Sequence, residues 1–254
     1  MAKRKKKKTK QQIIKSLIQA RNLAIKKNIK GYQKTFINLS ESIYKNSLTL
    51  EEAQKEQLTL MDFVTRQEYN EYIKLTFEAQ YHTNAVAVES IGKFFQGSYG
   101  VKKSVIQPVQ NATLKKLNKK IAAGRVKNIT EGTKKKLNNI ITSSQAAGLN
   151  RKEIAKQLME SVNGMTKSRA LTIARTETST ATSIDNHDLL VSVGAKREWI
   201  HIGGGKNDRP EHVAISGEVV EGDAEYSIGL LHPHDPAADP GETINCHCDE
   251  IMSI

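Results

Sequence analysis

Residues 169–194 read RALTIARTETSTATSIDNHDLLVSVG, and residues 195–202 read AKREWIHI. The first stretch predicts a helix of about 20–25 residues closed by Gly194, since a glycine just past the last turn supplies the left-handed residue that other side chains resist. The second predicts a strand over Lys196–Ile202 that carries Trp199, Ile200 and Ile202. Helical grammar therefore ends at Gly194 and short extended segments begin. The predicted fold class is α+β: predominantly long α-helices with a small C-terminal α+β module containing short strands.

Toward the N-terminus the pattern stays helical. Asn150-Arg151-Lys152-Glu153 forms a capping box ahead of IAKQLMESV, and Asn163-Gly164 predicts a stop after it. A helix from Thr130 to Ala147 closes at Gly148. Pro108 predicts an end or a kink within 101–125. A further helix covers Arg66–Phe95, with Tyr72, Leu75, Ala79, Val86 and Ile91 apolar, and GSYG at 97–100 reads as a break. Thr49-Leu50-Glu51-Glu52 is another capping box. Over Gln11–Lys45, Ile14, Ile18, Ile25, Ile29, Tyr32, Phe36, Leu39 and Ile43 recur at steps of three, four and seven, a seam near the heptad period. Residues 1–10, MAKRKKKKTK, form a basic tail. The expected organisation is a tail over 1–10, a helical region over 11–149 and a C-terminal module over 150–254.

Toward the C-terminus, Asp208-Arg209-Pro210-Glu211 predicts a short helix with Asp208 as N-cap and proline in its first turn. Ser216–Glu221 reads as a second short strand. Residues 229–243 form a Pro/Gly/Asp/His loop, and Thr243–Ile251 a final extended segment.

Charge divides the chain as sharply as structure does. Residues 196–254 hold 4 Lys/Arg against 12 Asp/Glu, a net −8, whereas residues 1–195 hold 35 against 15, a net +20. A basic body attracts polyanions, nucleic acid or an acidic protein surface. Lys3, Arg4, Lys5, Lys6, Lys7 and Lys8 are the candidate nucleic-acid-binding residues, held by counterion release; a solubility tail is the other reading. Hydrophobic residues make up 38% and aromatics 5%, which argues for extended helices over one thick core. No run reaches the roughly 20 apolar residues that cross a bilayer, and no apolar stretch follows the basic N-terminus as in a secretory signal. The expected compartment is the cytosol, or something assembled there.

The chemistry concentrates in the last sixty residues. Cys246 and Cys248 are the only cysteines, and a disulfide between residues two apart closes a strained ring. On an extended segment both sulfurs face one side and His247 the other. Asp208 and His212, four apart on a helical turn, share a face. Cys246, Cys248, His212 and Asp208 are thus candidate ligands for a structural zinc ion, with His201, His232 or His234 as alternatives for the fourth position. Two buried thiols and a capping aspartate are the alternative without metal. Arg169, Arg175, Thr176 and Glu177 on the long helix read as an ion-pair group tying it to its neighbours. His232-Pro233-His234-Asp235 with Asn245 suggests a metal-dependent nuclease only in outline. No Walker loop, dinucleotide fingerprint or nucleophile elbow occurs.

Taken in order, SRALTIARTETSTA, KREWI, DRPEH, HPHDP and INCHCDEI resemble the phage head morphogenesis, or Mu F-like, minor head protein family. Arg169, Ala170, Ile173, Ala174, Arg175, Thr176 and Glu177 match its helical motif. Asp208, Arg209 and His212 match its central element, and Asn245, Cys246 and Cys248 match its terminal one, with His247 where arginine is common. Arg169, Arg175, Thr176 and Glu177, with Trp199, Arg209 and Asn245, are the expected structural set. The resemblance covers about 150–254. It implies a non-enzymatic minor capsid protein of the virion, assembled in the host cytoplasm, that acts at the portal vertex or head interior. Its implied partners are the portal protein, the major capsid or scaffold protein and, non-specifically, phage DNA, with no membrane. A metal-dependent nuclease and a simple DNA-binding protein are the alternatives.

Overall fold

The computed structural model describes residues 8–47, 58–203 and 208–253. Its helices are α1 (Lys10–Ser47), α2 (Arg66–Ser98), α3 (Lys103–Lys116), α4 (Ala122–Ala146) and α5 (Arg151–Ser192). A 3-10 turn (Leu60–Asp62) precedes α2, and a π-helical turn (Leu117–Ile121) joins α3 to α4. After α5 come β1 (Lys196–Ile200), α6 (Pro210–Ala214), β2 (Val219–Glu221), α7 (Pro240–Thr243) and β3 (Asp249–Met252). The three strands form one antiparallel sheet in the order β2-β1-β3. The fold class is the helical α+β one that the sequence predicts. Among the described residues, no helix is long and apolar enough to cross a membrane.

The chain forms two compact units. One comprises Met1–Lys27, Thr83–Lys119 and Arg175–Ile254, the other Asn28–His82 and Lys120–Ala174. Among the described residues, the second unit holds helices and no strand. Its core gathers Tyr32, Phe36, Tyr72, Leu137, Ile141 and Leu158. The first unit holds the sheet. There Ile13, Leu17, Phe95, Ile106 and Leu190 pack with Ile200 of β1 and Ile251 of β3.

Several helix boundaries differ from expectation. Asn163-Gly164 does not stop a helix: α5 runs through it for 42 residues. One glycine in a helix costs only about 1 kcal/mol, and the flanking Val162 and Met165 are both buried, so packing outweighs it. Pro108 lies inside α3, where it forfeits one backbone bond near the start of the helix, and the π turn carries the chain on into α4. Helix α2 passes Gly97 and ends before Gly100, whose φ of 70° makes the break. Arg209, not Asp208, is the N-cap residue of α6, with Pro210 at the first helical position. The segment Thr243–Ile251 is extended only from Asp249 onward, because α7 and a left-handed Asn245 (φ 55°) occupy its start. The capping box at 49–52 lies outside the described residues, as do Lys3 to Lys7.

The seam of α1 holds in one half and shifts in the other. Tyr32, Phe36, Leu39 and Ile43 are buried as expected. Nearer the N-terminus the buried line is Ile13, Leu17, Arg21, Ala24 and Asn28, and Ile14, Ile18, Ile25 and Ile29 are only half-buried. The buried face passes through an arginine and an asparagine, which an apolar count cannot see.

Candidate functional site: a cysteine–histidine cluster

The second half of α5 sets the site. From Thr176 to His187 every residue is buried, although most are Ser, Thr, Asp, Asn or His. Small polar side chains allow close approach on all sides, and their hydroxyls return bonds to protein groups, as Thr182 does to the carbonyl of Ser179 (3.0 Å). Gly194, at φ 66°, then turns the chain into β1.

β1 buries both of its faces beyond Lys196. Trp199 is fully buried, with His212 (5.3 Å, 78°) and Tyr226 (5.0 Å, 74°) meeting it edge-on. Arg197, two residues earlier, is equally buried. Its guanidinium donates to the carbonyls of Gly222 (2.7 Å), Leu231 (2.8 Å) and Ala224 (2.6 Å), and to Glu250 Oε2 on β3 (3.0 Å). Tyr226 donates to the same carboxylate oxygen (3.1 Å), and His187 Nδ1 lies 3.3 Å from the other. A buried pair is tolerable only when its remaining hydrogen-bonding capacity is filled, and this arginine nearly fills its own. Neither Arg197 nor Glu250 was found from sequence. The signal available was their strand period: Arg197 shares a face with the buried Trp199, so its charge needed a partner.

Cys246 and Cys248 are buried and His247 between them is exposed, as the alternation predicts. His212 of α6 turns Nδ1 toward both sulfurs, 3.6 Å from Cys246 Sγ and 3.7 Å from Cys248 Sγ. The ligand atoms of these three residues all lie within 4.8 Å of one another. The other nitrogen of His212 is 2.7 Å from Glu242 Oε2. His201 repeats the arrangement: Nδ1 is 3.5 Å from Cys248 Sγ, and Nε2 is 3.4 Å from Asp208 Oδ2. Each imidazole thus offers one nitrogen to sulfur and the other to a carboxylate. Gly203 makes room for the second pair, since a Cβ there would overlap the His201 ring and the Asp208 carboxylate.

The hydrogen bond from Cys248 holds the Cys246 thiol well below the ordinary thiol range against the opposing effect of burial, and the same contact, with burial, pushes Cys248 up. The backbone N–H of Cys248 also donates to Cys246 Sγ (3.4 Å). Burial pulls the pKa of His212 down, but its contacts with Cys246 and Glu242 outweigh that and raise it. Arg21 of α1 braces the segment, donating to Asp249 Oδ2 (2.8 Å) and reaching the Cys248 carbonyl (3.4 Å).

The structure brings together Cys246, Cys248 and His212, and sets Asp208 against His201. His232 lies elsewhere, with Nδ1 2.8 Å from the Pro233 carbonyl and its ring on His187. His234 is buried, and burial pushes it down to about 4. Arg209 donates to the carbonyls of Gly241 (2.6 Å) and Ile244 (2.9 Å), fixing the loop that leads to Asn245. Arg169 donates to the Ile129 carbonyl (3.3 Å). Thr176 and Glu177 are buried and Arg175 is exposed. Of the basic tail, Lys8 is described, and its ammonium donates to Ser16 (2.9 Å) and Ser98 (3.1 Å).

Long helices thus lead into a small three-stranded module built around a buried thiol–imidazole cluster. Residues 135–251, which run from α4 through β3, match the family model of Phage Mu protein F like protein, and the match supports the resemblance to that family. That match points to a protein of phage head morphogenesis. No curated protein and no solved structure matches the chain.

Proposed function

We propose that the protein is a minor head component of a tailed phage, acting at the portal vertex in head assembly, and that its cysteine–histidine cluster is a structural zinc clamp. The observation that carries the reading is the burial of the cysteine and histidine residues of the family motifs. Cys246, Cys248 and His212 lie buried inside the first unit, where they can hold a fold together.

Zinc fits the donor set. Bonds of about 2.3 Å to sulfur and 2.0–2.1 Å to nitrogen in a tetrahedron put sulfur and nitrogen about 3.6 Å apart. The distances from His212 Nδ1 to the two sulfurs are 3.6 and 3.7 Å. Glu242 on His212 and Asp208 on His201 match the carboxylate–histidine support usual behind zinc ligands. Cys246, Cys248 and His212 would hold the ion, with His201 the nearest imidazole for the fourth position. The ion would supply a rigid link between α6 and the start of β3.

The net +20 of residues 1–195 supports contact with DNA or with an acidic face of the portal, capsid or scaffold protein. Mass spectrometry of purified procapsids and mature heads tests the role. The protein should be present in both or either, in far fewer copies than the major capsid protein, and should co-purify with the portal. Absence from both particles sinks the reading. Metal-dependent cleavage of DNA by the pure chain, abolished by EDTA, would favour the nuclease instead.

A further inference from the structure

Three family-motif residues that the thiol cluster leaves unused meet in one place. Beside the cluster, and sharing only Cys246 with it, lies a recess of about 300 Å³ between α1, α5 and the Asn245 turn. Arg175, Thr176 and Asn245 line it, with Arg21 from α1. No carboxylate lines it among the described residues.

The recess is electrically and chemically incomplete. Arg21 already has a carboxylate in Asp249. Arg175 forms no salt bridge or hydrogen bond to any described residue, so among those residues its charge has no counterpart. Thr176 is only 7% exposed, yet its hydroxyl has no hydrogen-bond partner among the described residues. A buried hydroxyl without a partner costs roughly 1–3 kcal/mol, and this one borders the recess. Arg175 adds a planar fork of donors, the geometry that takes a carboxylate in two parallel bonds.

We propose that this recess is a binding site for a carboxylate side chain, glutamate or aspartate, presented by an acidic segment of a partner protein. Arg175 pairs with the carboxylate, Thr176 donates to it, and Ile18 and Ile202 in the wall cover the methylene groups. A nucleic-acid backbone fits less well. Phosphate binding gains strength from many cations spread along a track, and here a single unpaired guanidinium sits in a hollow. The site does not depend on the neighbouring thiols holding a metal.

Fluorescence anisotropy tests this with the full chain, at 150 mM salt, using a labelled N-acetyl hexaglutamate as probe. Arg175→Gln and Thr176→Val should each weaken probe binding, Arg175→Gln by about tenfold or more. Arg175 is exposed and Val matches Thr in shape, so circular dichroism melts should show both variants folded. Equal binding by wild type and both variants overturns the proposal, since surface lysines then hold the probe. Absence of binding to the wild type overturns it too. A six-nucleotide thymidine oligomer that binds more tightly than the peptide, and loses that affinity in Arg175→Gln, would make the recess a phosphate site instead.

Discussion

Cys246 Sγ lies 3.6 Å from His212 Nδ1, and the far nitrogen of the same ring lies 2.7 Å from Glu242. The imidazole is held in line between a sulfur and a carboxylate, with its tautomer set by the carboxylate. Replacing Glu242 by Gln should leave the ligands in place but lower metal affinity by about 10–100-fold. Competition against a chromogenic zinc chelator measures this. Unchanged affinity would remove Glu242 from the site.

Arg197 and Glu250 make a second relationship on the same sheet, a fully buried ion pair at 3.0 Å. Arg197→Met strands the Glu250 carboxylate beside Tyr226 and His187. The expected loss is about 3–5 kcal/mol, the cost of an uncompensated buried charge. Urea unfolding of wild type and variant gives the difference. A loss under about 1 kcal/mol would mean that the pair is hydrated.

Asp185 on α5 should make stability depend on pH. Burial pushes its pKa up from the ordinary 3.8 to about 8, with Asp188 adding to the rise and hydrogen bonds from Gln110 and Thr113 opposing it. Between about pH 4 and 8 the folded chain keeps a proton that the unfolded chain releases. Stability from this group is therefore greatest at the acid end and falls as pH rises through the window, by roughly 1.4 kcal/mol per unit at most. Asp185→Asn should flatten that slope and melt higher than wild type at pH 8. Melting temperatures at pH 5 and pH 8 decide it, and parallel slopes would contradict it.

Gly164 offers a test of the long helix. It sits inside α5, and a Cβ built there meets nothing within 4 Å. Gly164→Ala should stabilise the chain by about 0.5–1 kcal/mol. Destabilisation would mean that 163–164 is a real break and that α5 is two helices.

The same position shows where sequence reading fails. Asn163-Gly164 has the local chemistry of a helix stop, but Val162 and Met165 pack into the core of the second unit, and that packing is invisible in a propensity count. Arg21, Arg197 and Glu250 were missed for a related reason: buried charges follow partners far along the chain, and apolar periodicity does not register them. What was legible is what repeats locally. The capping box at Asn150 is present, with Glu153 N–H donating to Asn150 Oδ1 (3.0 Å) and Asn150 N–H to Glu153 (2.8 Å). The end at Gly194 is present as well. Cys246, Cys248 and His212 were legible because few residue types carry metal chemistry, and their clustering after residue 200 stood out. The recess beside them was not, because it needs α1, α5 and the Asn245 turn in one place.

Metal content is the most direct test of the clamp at the centre of this reading. Full-length protein, purified without chelator and measured by plasma mass spectrometry, should hold about one zinc per chain. Cys246→Ser and His212→Ala should each lose it, and stripping the wild type should lower its melting temperature. Wild-type protein without zinc, or zinc retained in both variants, would contradict the clamp and leave two buried thiols beside a histidine.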